Sequence, residues 1–326
     1  MKKNSKSKLY KAMISNSFIF RKDKNIALSS KTPTPAPKSK YPVKKIAAIC
    51  MMRIHVPMDE MFANRWIAYY GKQLGEENLY IIMDGLDQKA PGKAGKANII
   101  IREKNTLNVY DLEQDRRDVQ TQLAWALFKK GYQLVIGCDS DEFLVADPNT
   151  GMSMAEYISS LKIKGSSISG LGLDFGQHLK LDKPFDLNKN LLEQREYALL
   201  STRFTKAVVM ARPVRWGWGW HRIMGRNFHI EPNLYLMHFG NTDFDQLYKK
   251  SQNMEIIASG RAGHFKRRRL SASYIVSEKT PKDFDKAVRA ARIMQTLMRP
   301  PYAWNKPCMA FIKWVVKIPE RFKKLV

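Results

Sequence analysis

Residues 132–148, YQLVIGCDSDEFLVADP, place three acidic side chains within four positions, directly after an apolar run. Two of them, Asp139 and Asp141, are two residues apart, so in a continuous strand their side chains would share one face. Mg²⁺ and Mn²⁺ prefer oxygen ligands, commonly one or two carboxylates together with phosphate oxygens of a substrate. The pair therefore predicts a divalent-metal site at the end of a buried strand, although capping acids in a surface loop would give the same pattern.

The elements that would position this pair alternate regularly along the first half of the chain. Apolar runs predict strands at 44–52, 78–85, 97–103 and 132–143, and helical spacing predicts helices at 58–75 and 111–131. Strands that are apolar on both faces are typical of a mainly parallel sheet covered by helices. Ligands of such Rossmann-like α/β sheets bind beyond the carboxyl ends of the strands, which is where the acidic pair falls.

The second half of the chain is less regular. Strands are predicted at 166–176, 205–216 and 234–240, and helices at 244–259 and 281–298. The domain organisation predicted from composition has three parts. A flexible basic arm rich in Ser, Thr, Pro and Lys covers 1–43, a folded α/β domain covers 44–260, and a helical extension covers 261–326.

The charge of the chain is strongly positive. Its 326 residues include 56 Lys and Arg against 30 Asp and Glu, a formal net charge of +26. This excess attracts polyanions such as nucleic acid, anionic lipid or phosphate-bearing substrates. Three widely spaced cysteines indicate neither a disulfide framework nor a zinc site. No apolar run approaches the ~18 residues that span a bilayer, so a cytoplasmic protein is expected.

Several segments, in order along the chain, resemble one known family. CDSDEFLV at 138–145 is similar to the DxDEF signature of family-2-like glycosyltransferases with the GT-A fold. Residues 59–85 resemble the family's first helix and second strand. TRFTKAVVMARP at 202–213, GWHR at 219–222 and LYLMHFG at 234–240 resemble its later segments. The resemblance covers roughly residues 44 to 250 and implies a GT-A fold for that part of the chain.

The same resemblance implies a nucleotide-sugar donor and a Mn²⁺ or Mg²⁺ cofactor. Asp139 and Asp141 would hold the metal against the donor diphosphate, with Asp139 also contacting the donor. His238, in LYLMHFG, would complete the set of metal ligands. The metal would neutralise charge that develops on the departing nucleoside diphosphate.

Four further residues are predicted to contact the donor. Asp84 closes the second predicted strand, where the resembled enzymes often bind the nucleobase, and Arg53 lies near the same pocket. A plain Asp-Gly turn explains Asp84 equally well. Arg117, with Arg116 beside it, precedes an apolar helix face and could reach the diphosphate or stay solvated. His221 could touch a phosphate of the donor, or the acceptor.

The acceptor side is predicted from aromatic residues and one carboxylate. The turn WGWGWH carries three tryptophans that could stack on sugar rings or cap the core: Trp216, Trp218 and Trp220. An inverting transfer needs a base for the acceptor hydroxyl. Asp174, between glycines after an apolar run, is the predicted base, with Glu193 and Glu196 as alternatives.

The predicted function is metal-dependent transfer of a sugar from a nucleotide sugar onto a glycan or lipid-linked acceptor, as in synthesis of surface polysaccharide or lipopolysaccharide. One alternative is a non-catalytic RNA- or membrane-binding protein on the same fold. The absence of an RNP-type motif argues against a nucleic-acid partner. Another alternative is a metal-dependent nucleotidyltransferase, although no glycine-rich phosphate loop accompanies the aspartates.

The two ends of the chain suggest contact with a membrane. Residues 308–326 mix apolar residues, led by Phe311, Trp314 and Val315, with several basic ones. Residues 1–45 carry thirteen Lys or Arg and a single acid. Basic amphipathic segments bind anionic headgroups. Both ends are therefore predicted to hold the protein at the inner membrane face, although Trp314 and Phe311 could equally pack back on the folded domain.

Overall fold

The computed structural model describes residues 43–103, 109–252, 254, 262–277, 280–309 and 312–326. This part of the chain forms a mixed α/β fold in which helices flank a sheet whose central strands are mostly parallel. The predicted fold class is confirmed at this level. The basic arm lies outside the described residues, except for Val43.

The first half of the chain builds the parallel part of the sheet. Its strands lie in the order β4-β1-β2-β3, and each neighbouring pair is parallel. The strands are β1 (Ile46–Met52), β2 (Leu79–Asp84), β3 (Asn98–Arg102) and β4 (Leu134–Gly137). Helix α1 (Pro57–Leu74) lies between β1 and β2, and helix α2 (Val109–Lys129) lies between β3 and β4. The four carboxyl ends therefore meet at one edge of the sheet.

Local sequence accounts for these elements. All seven residues of β1 are apolar and buried, as a strand covered on both faces requires. Helix α1 buries Trp66 and Tyr70 completely. It ends at Gly75, which adopts a φ of 86°, a left-handed conformation that only glycine takes readily. Gly131, with a φ of 85°, follows the end of α2 in the same way.

The second half adds an antiparallel region to the same sheet. Its strands are β5 (Glu142–Ala146), β6 (Ser167–Gly176), β7 (Tyr197–Leu200), β8 (Val209–Met210), β9 (Ile230–Asn241) and β10 (Val315–Lys317). Its helices are α3 (Met154–Ser160), α4 (Leu191–Gln194), α5 (Phe244–Gln252), α6 (Ala262–Ser277) and α7 (Phe284–Leu297). Of the strand predicted at 205–216, only the two residues of β8 form a strand. Helix α6 was not predicted.

The predicted strand at 132–143 is two strands joined by a turn. β4 ends at Gly137, and Glu142 begins β5, which pairs antiparallel with β9. Asp139 and Asp141 therefore lie on the turn between the strands, and the expected common face of one strand is wrong. The turn arises because β5 leaves the parallel sheet to pair Glu142 with His238.

The C-terminal residues form part of the folded core and do not make a separate extension. β10 pairs antiparallel with β7, and Val315, Val316 and Phe322 are buried. The boundary predicted at residue 261 is therefore wrong. Burial withdraws Val315, Val316 and Phe322 from the protein surface, and Phe311 lies outside the described residues. Contact of the tail with a membrane stays a prediction. Within the described ranges, no helix is both long and apolar enough to cross a membrane.

Candidate active site

A cleft of about 680 Å³ opens at the carboxyl ends of β1 and β4. Its walls are completed by five segments: the start of α2, residues 203–206, the Trp-rich turn at 216–221, the end of β9 and helix α6. Seven arginine and lysine side chains line the cleft against three carboxylates, those of Glu113, Asp139 and Asp141. The cleft therefore suits an anionic small-molecule ligand.

Three of the predicted residues form a line that runs inward from the cleft floor. Nε2 of His238 lies 3.4 Å from Oδ2 of Asp141, and Nδ1 of His238 lies 2.7 Å from Oδ1 of Asp174. The ring of Phe204 stacks on His238, with the ring centroids 3.6 Å apart. Burial opposes a charge on His238, but Asp141 and Asp174 outweigh burial and raise its pKa to about 9.

Asp174 positions His238 and cannot serve as the predicted base. It is only 1% exposed and does not line the cleft. The amide of Asn241 donates to both of its oxygens, at 2.9 and 3.1 Å. A base must reach the acceptor hydroxyl, and this carboxylate lies behind the imidazole. Neither alternative, Glu193 or Glu196, lines the cleft.

The Asp174→Asn variant should change how stability depends on pH. A raised histidine pKa stabilises the fold fully below pH ~6.5, and this contribution is lost as pH rises through about 9. Metal-free wild type should therefore lose up to about 3 kcal/mol between pH 6 and 10 from His238. Asp174→Asn should lose less. Urea denaturation in EDTA, with an NMR titration of His238, tests this; equal pH dependence in both proteins would contradict it.

Asp139 is held by two cations and not by His238. Its Oδ1 lies 3.4 Å from Nη2 of Arg116, and its Oδ2 lies 3.3 Å from Nζ of Lys206. Lys206, itself buried, also contacts the fully buried carboxylate of Glu142. Burial opposes the charge on Lys206, but Glu142 and Asp139 together raise its pKa. Lys206 therefore neutralises the acidic turn from its buried side.

Sequence reasoning missed Lys206 and Glu142, although both stand in segments that carry the resemblance. The available signal was a single lysine inside the otherwise apolar run FTKAVVM. A buried lysine needs a buried counter-charge, and DSDEF supplies more acids than a metal requires. The two segments are 64 positions apart (206 against 142), so no local pattern joins them.

The predicted donor residues divide into two groups. Arg53, Arg117 and His221 line the cleft. Burial, followed by the nearby lysines and Arg203, lowers the pKa of His221 well below its ordinary value, so its ring is neutral. Asp84 does not line the cleft, because its carboxylate turns to Arg102, with Oδ1 3.3 Å from Nε. The structure does not support contact between Asp84 and a nucleobase.

Only one of the three tryptophans is exposed. Trp216 and Trp220 are buried, and both pack against Gly137 at the end of β4. A Cβ on Gly137 would lie 2.6 Å from Nε1 of Trp220, so this close approach requires glycine. Trp218 is 39% exposed and meets Tyr110 edge-on. Of the three, only Trp218 is therefore exposed enough to meet a sugar ring, and the stacking itself stays a prediction; the other two shape the wall.

Gly240 leaves the space in which the acidic and basic groups meet. A Cβ there would collide with the carboxylate of Asp141 and the guanidinium of Arg268, and would lie 2.8 Å from Nε2 of His238. Gly240→Ala should therefore displace these groups and reduce activity by about 10–100-fold, as when metal-orienting groups are lost. Turnover and circular dichroism would measure this. Gly165→Ala, whose Cβ makes ordinary contacts, is the control; equal activity in both variants would contradict the interpretation.

The residues at the cleft floor fit a divalent metal as a two-ligand site. Across the described ranges, no three His, Cys, Asp or Glu side chains gather to hold a metal by themselves. Asp141 and His238 face each other across the cleft floor. Because Asp174 binds Nδ1 of His238, Nε2 is the ring nitrogen that would ligate a metal. Asp139 is occupied by Arg116 and Lys206. Mg²⁺ is commonly bound by one or two protein carboxylates completed by substrate oxygens, and here one of the two protein ligands would be an imidazole.

The cleft thus combines a carboxylate–imidazole pair, a buried lysine and two arginine-rich walls at one edge of the sheet. The function of the protein is inferred from these groups. The chain matches no protein-family model and no curated protein.

Proposed function

We propose that this protein is a metal-dependent glycosyltransferase of the GT-A type, which moves a sugar from a nucleotide-sugar donor onto a glycan or lipid-linked acceptor. The observation that carries the proposal is the line Asp141–His238–Asp174, which opens into a cationic cleft. The similarity of residues 138–145 to the DxDEF signature supports the same conclusion.

The donor would lie along the wall formed by β1 and α2. Arg53, Arg116 and Arg117 line this wall. Arginine presents a planar set of donors that matches phosphate oxygens in pairs. The size of the cleft, about 680 Å³, lies within the range of ordinary small-molecule sites.

Asp141 and His238 would hold Mn²⁺ or Mg²⁺, which when bound supplies positive charge to the leaving nucleoside diphosphate. Asp174 fixes the imidazole and its protonated nitrogen, so that Nε2 faces the cleft. Lys206 restrains Asp139 and Glu142 and adds a permanent positive charge beside the diphosphate. Trp218 offers an aromatic face to a sugar ring.

Hydrolysis of a panel of nucleotide sugars tests the proposal. With Mn²⁺ or Mg²⁺, one donor should release free sugar and nucleoside diphosphate, and EDTA should abolish the reaction. Release of pyrophosphate from a nucleoside triphosphate and a sugar phosphate would instead indicate a nucleotidyltransferase. If no nucleotide sugar binds or reacts with either metal, the proposal is wrong and a non-catalytic role remains.

A further inference from the structure

The two walls of the cleft differ in how their cations are paired. On the donor wall, Nη2 of Arg53 lies 2.9 Å from the carboxylate of Asp87. Nε of Arg117 lies 2.8 Å from the carboxylate of Asp118. Each of these two arginines therefore has a carboxylate partner in the ligand-free protein.

On the opposite side, four cations gather without such partners: Arg203, Arg222, Arg267 and Lys306. Arg203 and Arg267 line the cleft, and none of the four has a carboxylate within 4.0 Å in the part of the chain that the structure describes. We call this set the cationic rim. Its members repel one another: after burial, Arg267 lowers the pKa of Arg203, with Asp174 opposing this effect, and Arg222 lowers the pKa of Lys306.

Clustered like charges oppose folding unless a ligand neutralises them. Gathering these cations does not stabilise the fold. The rim is therefore best explained as a binding surface, where a bound anion offsets the repulsion among its cations. The proposed function places the donor diphosphate on the donor wall, beside the metal and Lys206. The rim is therefore available to bind a second anionic ligand.

Exposed aromatic side chains lie directly beside the rim. In the loop at 298–306, Tyr302 is 78% exposed and Trp304 is 58% exposed. Nζ of Lys306 lies 5.6 Å from the centroid of the Tyr302 ring. The loop is tied to the rim, because Nη1 of Arg222 donates to Oδ1 of Asn305 at 3.5 Å. Aromatic faces next to cations suit sugar rings that carry anionic groups.

We propose that the cationic rim and the aromatic loop at 298–306 form an acceptor subsite for an anionic glycan, whose sugars carry carboxylate or phosphate groups. This inference rests on the proposed function. Arg203 is partly buried and lines the cleft, so a flat membrane does not reach it. A glycan chain can enter the cleft with its acceptor hydroxyl and leave its anionic groups on the rim.

Equilibrium binding to the full-length protein tests the subsite. The probes are hexagalacturonate, glucose 6-phosphate and, as the neutral match, maltohexaose. The variants are Arg203→Gln and Lys306→Gln, with Lys266→Gln as the control, since Lys266 is exposed on α6 outside the cleft. At least one anionic probe should bind roughly tenfold or more tightly than maltohexaose, and both rim variants should remove roughly that factor. The control should remove none of it, and added salt should weaken binding.

The rim variants also provide a second readout. Removing one of several repelling charges should leave the melting temperature of the ligand-free protein unchanged or raise it, so lost binding will not reflect unfolding. Equal binding of neutral and anionic sugars, or unchanged binding in both rim variants, would overturn the subsite. So would binding only to phosphatidylglycerol vesicles. Donor hydrolysis without acceptor is measured in parallel: its absence in the wild type would refute the glycosyltransferase, whatever the rim binds.

Discussion

Asp141→Asn is expected to reduce sugar transfer by at least about 100-fold and to leave the protein folded. The neutral amide keeps the size of the side chain but loses the charge that faces Nε2 of His238. In the wild type, burial disfavours that charge, yet His238 and Arg268 hold the pKa of Asp141 well below its ordinary value. The carboxylate is therefore ionised at any pH at which the protein works.

Turnover with Mn²⁺ and calorimetric titration of Mn²⁺ in the absence of donor would measure this effect. Both activity and metal affinity should fall in the variant. Glu193→Gln, which removes an exposed carboxylate outside the cleft, is the matched control and should change neither. Near-normal turnover of Asp141→Asn, with the same metal requirement, would contradict the assignment.

Lys206→Met is expected to lower the free energy of unfolding by about 3–5 kcal/mol, the usual cost of removing one partner of a buried ion pair. Glu142 is fully buried and Asp139 is next to it, so both carboxylates lose their counter-charge. Burial already raises the pKa of Glu142 to about 7 against the opposing effect of Lys206. Without Lys206, Glu142 should take up a proton at neutral pH.

Urea denaturation of Lys206→Met and of the double variant Lys206→Met/Glu142→Gln would measure this cost. The double variant should recover a large part of the lost stability, because the buried carboxylate is then neutral. Lys317→Met removes a mostly exposed lysine that lies 3.2 Å from Glu196, and it should have a much smaller effect. If Lys206→Met is no less stable than Lys317→Met, the buried lysine does not neutralise the acidic turn.

The parallel half of the fold could be predicted because its signals are local. β1 and β2 are continuous apolar runs, and Gly75 and Gly131 end the two helices through their own backbone conformations. The end of β4 could not be predicted in this way. It coincides with two long-range features, the pairing of Glu142 with His238 and the packing of Trp216 and Trp220 against Gly137.

The candidate site was predictable where residue type and spacing carry the chemistry. Asp141 and His238 lie together as the resemblance implied. The spacing could not show that Asp174 lies behind His238, because β6 and β9 become neighbours only when the sheet forms. Helix α6 was missed because its run of basic residues, KRRR at 266–269, has no clear apolar stripe. Its arginines reach the cleft only through tertiary packing.

Diffraction from crystals soaked with Mn²⁺ and the nucleoside diphosphate of the accepted donor, collected at a wavelength where manganese scatters anomalously, tests the central claim most directly. The account predicts one anomalous peak about 2.1 Å from both Oδ2 of Asp141 and Nε2 of His238. These atoms lie 3.4 Å apart without metal, a separation that suits two neighbouring ligands of one ion. The diphosphate should complete the coordination and rest against Arg53 and Arg116. A diphosphate bound without a manganese peak, or manganese bound away from Asp141 and His238, would contradict the account.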